Sequence, residues 1–155
     1  MSLRLTLTLT ALGLCTPLAH ADGGARLATD NAKFRQECGA CHTPYAPGLL
    51  PAASWQRLMG QLGQHYGTDA SLDAASAREI GQWLQAHAGT YRRVSEVLPH
   101  DRITQSAWFL RKHREGEVPA NVWKRPAVGS PANCGACHPQ AAQGQFDEHD
   151  VRIPR

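Results

Sequence analysis

Apolar residues along this chain recur at helical spacing, in short stretches, and never in sustained period-two alternation. Asp30 can cap a helix from Asn31 to about Cys38, which brings Phe34 and Cys38 to one face four residues apart. Residues 43–53 contain Pro44, Pro47, Gly48 and Pro51 and read as a loop. Ser54 opens a second stretch to about Tyr66, ended near Gly67. Its stripe is Trp55, Leu58, Met59 and Leu62, continued by His65. Asp73 opens a third, to about Ala88, aligning Ile80, Trp83, Leu84 and His87 before a stop at Gly89. Thr104 opens a fourth, to about Arg114, with Phe109, Leu110 and His113 on one face. The pattern predicts a mainly α protein of short helices and long loops.

Residues 115–133 hold Pro119, Pro126, Gly129 and Pro131 and fit no helix. So long an irregular stretch is unusual in a compact domain, unless it covers something. With 14 Gly, 10 Pro and many Ala, the protein side of the core is thin.

The N-terminus has the form of an export signal. Met1 to Arg4 carry one positive charge, Leu5 to Leu14 are apolar but for Thr and Gly, and Ala19-His20-Ala21 suits signal peptidase. The apolar run is too short for a bilayer, which takes about 20 helical residues. Residues 1–21 are therefore expected to be a cleaved signal peptide, and residues 22–155 a single exported domain in the periplasm. Cys15 raises a lipoprotein alternative, but Leu14 stands where a small residue should precede a lipidated cysteine. No later apolar run is long enough to span a membrane. The formal charge of +3 falls to +2 when Arg4 is lost, which gives no argument for nucleic-acid binding.

Chemistry enters with a pentapeptide that occurs twice, Cys38-Gly39-Ala40-Cys41-His42 and Cys134-Gly135-Ala136-Cys137-His138. Cys-Xaa-Xaa-Cys-His is the attachment sequence of a c-type haem. The two thiols add to the haem vinyl groups, and the adjacent histidine turns its imidazole onto the iron. The two copies use every cysteine outside the leader. Two covalent haem c groups are thus expected, on Cys38, Cys41, Cys134 and Cys137, with His42 and His138 as proximal ligands. Their propionates would bring the holoprotein close to neutral. A chain this size has a radius of gyration of about 14 Å, so two porphyrins inside it must lie close. Without them it should fold poorly. A zinc site built from both Cys pairs leaves the following histidines unexplained. Thiol-disulfide exchange lacks the βαβ pattern it would need.

The sixth ligand of each iron separates an electron carrier from a ligand-binding haem protein. Candidates are His65, His87, His100, His113, His149 and Met59. His65 and His113 lie on apolar helical faces and rank first, although ordinary core packing is the bland account of either. His87 is the reserve. His100 beside Pro99, and His149 in an acidic tail, suit the surface. Met59 suits the core.

Beyond the attachment sites, Leu50-Pro51, Ser54-Trp55, His65-Tyr66-Gly67-Thr68-Asp69-Ala70-Ser71-Leu72, Arg102-Ile103-Thr104 and Trp108-Phe109 with His113 follow in order. With Ala142-Gln143-Gly144-Gln145-Phe146 and Ile153-Pro154, they resemble the small periplasmic dihaem cytochrome c family. The resemblance implies bis-histidine coordination of both haems, with His65 and His113 as distal ligands and a non-histidine at position 87. It also implies an electron-transfer role rather than an enzymatic one. The partners it suggests are other redox proteins, such as a membrane b-type cytochrome or a soluble haem protein. The alternative is a haem enzyme or ligand sensor with one five-coordinate iron. Which distal histidine serves which haem stays open. The pairs Arg92-Arg93, Arg111-Lys112 and Lys124-Arg125 form either a docking surface or ordinary solvated faces.

Overall fold

Four short α-helices joined by single 3₁₀ turns build the protein, in a computed structural model that describes residues 27–90, 94 and 98–155. The leader and the Arg92-Arg93 pair lie outside the described residues. Helices begin where a side-chain oxygen can meet the first unpaired amide groups. Helix α1 (Ala32–Gly39) starts at Asn31, whose Oδ1 accepts from the Phe34 amide at 2.7 Å. Asp30, the expected cap, stands one residue too early. Helix α3 (Ala74–Ala86) starts as expected at Asp73, which accepts from the amides of Ala75 at 2.9 Å and Ser76 at 3.0 Å.

The other two helices are shorter than their patterns suggest. Helix α2 (Ala52–Met59) begins directly after Pro51, so Ser54 is buried inside it instead of capping it. It ends at Gly60 rather than near Tyr66. Gly60 and Gly63 both disfavour continuation, and Leu62–Gln64 form a separate 3₁₀ turn. Helix α4 (Ala107–Lys112) is capped by Ser106, not Thr104, because Ile103–Gln105 form a 3₁₀ turn of their own. The Ser106 hydroxyl donates to the Ile103 carbonyl at 2.8 Å and accepts from the Phe109 amide at 3.2 Å. With α4 so short, Leu110 faces solvent at 58 % exposure and is no part of the core.

Phe34, Trp55, Ile80 and Leu84 join three helices in one core, closed by Leu49 and Leu50 of the prolyl loop and by Leu98, Ile103 and Phe109. The Trp55 indole donates to the Pro47 carbonyl at 2.8 Å, which pins that loop against α2. Helix α3 stops at Ala86 with His87 as its C-cap, short of the expected stop at Gly89, whose amide donates to the Leu50 carbonyl at 2.9 Å. A Cβ there would lie 2.5 Å from the Gly48 carbonyl oxygen, so only glycine allows the two segments to meet. The stretch 115–133 is turn-rich as expected, but it also buries Val122 and Val128. Among the described residues there is no strand, only a bridge between His65 and Thr68, and no helix long and apolar enough to cross a membrane.

Arg57 on α2 grips Asp101 with two hydrogen bonds, Nε to Oδ2 at 2.9 Å and Nη2 to Oδ1 at 2.6 Å. The guanidinium holds the Asp101 carboxyl below the usual carboxylate range. That contribution is present above the unfolded value near about pH 4 and is lost as pH falls through the lowered folded value. Asp101→Asn should therefore flatten the acid limb of a stability-pH profile relative to the parent, read from urea midpoints.

Core position is testable by contrast. Ile80→Ala, at a site with no exposure, should cost about 2–5 kcal/mol in denaturant unfolding. Leu110→Ala should stay within about 0.5 kcal/mol.

Candidate functional site

The first attachment sequence leaves α1 at its C-terminal end. Cys38 sits in the last turn, half-buried, and burial first, then Glu37, push its thiol up to about 11. Cys41 and His42 follow beyond the helix, exposed. The His42 Nδ1 donates to the Thr43 carbonyl at 2.8 Å, and the ring stacks on Tyr45 with centroids 4.9 Å apart. Opposite it stands His65, with ring centroids 6.3 Å apart and planes 16° from parallel. His65 is not on α2 as the pattern suggests. The 3₁₀ turn Leu62–Gln64 delivers it, and its bridge to Thr68 closes the turn. Its Nδ1 is buried and without a partner.

The second attachment sequence forms the 3₁₀ turn Cys134–Ala136. Burial pushes the Cys134 thiol up to about 11 and raises that of Cys137, where Arg125 pulls the other way. His138 faces His113 with centroids 6.2 Å apart, but here the planes stand at 72°. His113 occupies the C-terminal cap of α4. Its Nδ1 donates to the Phe109 carbonyl at 3.0 Å, and its ring stacks on the Phe109 ring at 4.0 Å and 16°. Phe146 meets His138 edge-on at 5.4 Å.

These separations can be tested against a metal centre. A metal-imidazole bond of about 2.0–2.1 Å, with the ring centre about 1.2 Å behind its nitrogen, puts two opposed ligands roughly 6.4 Å apart centre to centre. Both pairs fit. At His65 and His138 burial also favours the neutral form a ligand needs. Burial lowers the His65 pKa, with His42 and Arg102 adding, and burial followed by His113 lowers that of His138. The partnering is uncrossed: His65 stands across from the first attachment site and His113 across from the second.

The two sites adjoin. The Tyr45 hydroxyl donates to the Ala132 carbonyl, two residues before Cys134, at 2.6 Å. A Cβ on Gly135 would lie 3.0 Å from Thr43 Oγ1. Tyr45 thus touches one site's histidine and the other site's entry, a role that nothing in its sequence setting reveals. Phe109, four residues before His113, was legible as part of a face but not as a stacking partner for it.

The remaining candidates are placed elsewhere. His87 is exposed, and its Nδ1 donates to the Trp83 carbonyl of its own helix at 2.9 Å. His100 and His149 are exposed, and Met59 packs against the core. Among the described residues no three His, Cys, Asp or Glu side chains converge as a further metal site, so the two Cys pairs do not form a shared zinc centre. Thiols raised by burial also suit disulfide exchange poorly. Of the basic pairs, Lys112 is bound to Glu148, and Arg125 donates to the Pro154 carbonyl.

Comparison with known proteins bears on the family and its cofactors. The family described as dihaem cytochrome c matches residues 34–146. The chain is similar to the diheme cytochrome c of Shewanella baltica, at 38 % identity and a TM-score of 0.69, over 80 % of this chain and 93 % of that one. It is also similar to the diheme cytochrome c of Rhodobacter sphaeroides, at 40 % identity and a TM-score of 0.69, over 79 % of this chain and all of the other. A second structure from Rhodobacter sphaeroides, of DHC, gives 41 % identity and a TM-score of 0.66, over 77 % of this chain and 100 % of that one. No protein of curated function matches. Two haem c groups are accordingly the cofactors, in a haem-binding electron carrier. The chain belongs to the dihaem cytochrome c family.

Proposed function

We propose that this protein is a bis-histidine electron relay of the periplasm, with His42 and His65 as axial ligands of one haem and His138 and His113 of the other. The observation that carries the reading is the spacing of the two facing imidazole pairs, 6.3 and 6.2 Å. Bound haem supplies reversible one-electron chemistry. The chain's part is to hold four imidazoles oriented in facing pairs, and to close both sides of each iron. His42 and His113 donate from Nδ1 to backbone carbonyls, which fixes their rings and strengthens the opposite nitrogen as a donor.

With both axial positions taken by protein, substrate chemistry at the metal is disfavoured and outer-sphere transfer is what remains. That argument weighs against an enzymatic role. Tyr45 bridges the two sites, so an electron reaching one centre lies near the other. The expected partners are redox proteins, a membrane b-type cytochrome or a soluble haem protein. The leader over residues 1–21 supports export and a periplasmic address. Mass spectrometry of protein recovered from the periplasm should give the chain from residue 22 plus two haem masses. A bare-chain mass would overturn the reading.

Ligand geometry predicts the ferric spectra. Near-parallel imidazole planes give a rhombic low-spin paramagnetic resonance signal, and near-perpendicular planes give a single large-g feature. Both should be present, from the His42-His65 and His138-His113 pairs respectively. A high-spin ferric component from one haem would instead favour an open enzyme or sensor site. Both midpoint potentials should fall below that of a His/Met cytochrome c, because a Met ligand raises the potential.

Replacement separates the two centres. His113→Ala should leave both haems attached, abolish the large-g feature and make one haem high-spin. His65→Ala should do the same to the rhombic signal, while His87→Ala should change neither. Electron paramagnetic resonance with a haem count on each variant decides the matter.

A further inference from the structure

We propose that His65 is the exchangeable one of the two distal histidines, so that the first site admits a small carbon-donor ligand such as carbon monoxide or cyanide while the second stays closed. The inference rests on the bis-histidine reading above and follows from how differently the two rings are mounted. His113 is held twice, by the bond from its Nδ1 to the Phe109 carbonyl at 3.0 Å and by the Phe109 ring stacked on it at 4.0 Å. His65 is held less firmly: the Tyr66 ring meets it tilted at 60° with centroids 4.9 Å apart, and its Nδ1 is buried and unpartnered. Loss of an outer partner that orients a ligating histidine costs about 10–100-fold in metal affinity.

The backbone beside His65 is strained as well. Tyr66, directly after it, has φ 52°, a conformation that bulky residues rarely adopt. The Tyr66 hydroxyl donates to the carbonyl of His100, and His100 and Asp101 themselves have φ 55° and 54°. The residue beside His65 and the residue that anchors it are thus both in the left-handed region. The second distal ligand follows a regularly capped helix.

His65 also has room to leave. A cavity of about 200 Å³ is lined by Arg57, Gln61, His65, Tyr66, His100 and Asp101, among others. Neither His42 nor any cysteine contributes to its wall, so it is separate from the gap between the facing rings. A ring displaced from the iron can turn into that space without disturbing the core. The exchange is a plain substitution: His65 departs as neutral imidazole and the carbon donor takes its coordination position. No electron is transferred, and hydrogen cyanide loses its proton to solvent.

The test is a cyanide titration of the ferric, two-haem protein followed by electron paramagnetic resonance. The rhombic signal of the near-parallel pair should be replaced first, with about 10–100-fold tighter apparent binding than at the large-g site. In the reduced protein, carbon monoxide should bind to one haem of the two, by optical titration. His113→Ala should then allow a second equivalent, which shows that the closed site is closed by His113. Loss of the large-g signal first, equal loss of both, or no replacement of either would overturn the assignment. Absence of bis-histidine low-spin signals before any cyanide is added marks a different failure, that of the ligation reading, and the assignment falls with it.

Discussion

Two imidazole rings must face each other a little over 6 Å apart, and they must do so twice within one small domain. Most features of the fold answer to that constraint. A helix-rich chain with a thin core has few ways to keep such a gap open, because apolar collapse tends to close any void. Here each ring has an aromatic neighbour. Tyr45 stacks on His42, Phe109 on His113, Phe146 meets the edge of His138, and Tyr66 lies tilted against His65. The prolyl loop that carries Tyr45 is fixed in turn by the Trp55 indole on the Pro47 carbonyl. Residues that look like ordinary core are thus the outer scaffold of the two sites.

The sites are alike in spacing and unlike in mounting, and the difference traces to where a helix stops. Helix α4 ends at Lys112, so His113 still reaches back four residues to the Phe109 carbonyl, as a C-terminal cap residue can. Helix α2 ends at Met59, and two glycines intervene before His65. No helix carbonyl is then within reach of the His65 ring, which depends on a 3₁₀ turn and its bridge to Thr68. One site's rings therefore lie nearly parallel and the other's nearly perpendicular. Two haems attached by identical pentapeptides need not be electronically equivalent.

This history also explains what could be read from the sequence. The attachment sites are legible because their chemistry is local: the two thiols and the histidine lie within five residues. The existence of four helices is legible for the same reason, and Asp73 marks one of them correctly. His65 and His113 are the candidates that the fold sets opposite His42 and His138, though the helical-face argument holds in detail for neither, since both lie just past a helical segment. Helix ends escape because the competing caps differ by small energies, Asn31 against Asp30 and Ser106 against Thr104, which tertiary packing decides. Leu110 misleads by apolar character alone. Tyr45 is invisible because its two contacts are 87 residues apart in one case and depend on a loop path in the other.

That Tyr45 contact bears on why the chain is one domain rather than two. Each attachment sequence lies in its own part of the chain, and the repeat of the pentapeptide taken alone suggests two independent units. The segments around the two copies do not support that. The histidine opposite His138 follows α4, whose Phe109 belongs to the same core as Phe34 and Trp55. Thr43 lies against Gly135, and the Tyr45 hydroxyl bonds to the Ala132 carbonyl. Neither site can be built without backbone that also shapes the other. The contacts that tie the fold together are thus the same ones that bring the two attachment sequences side by side.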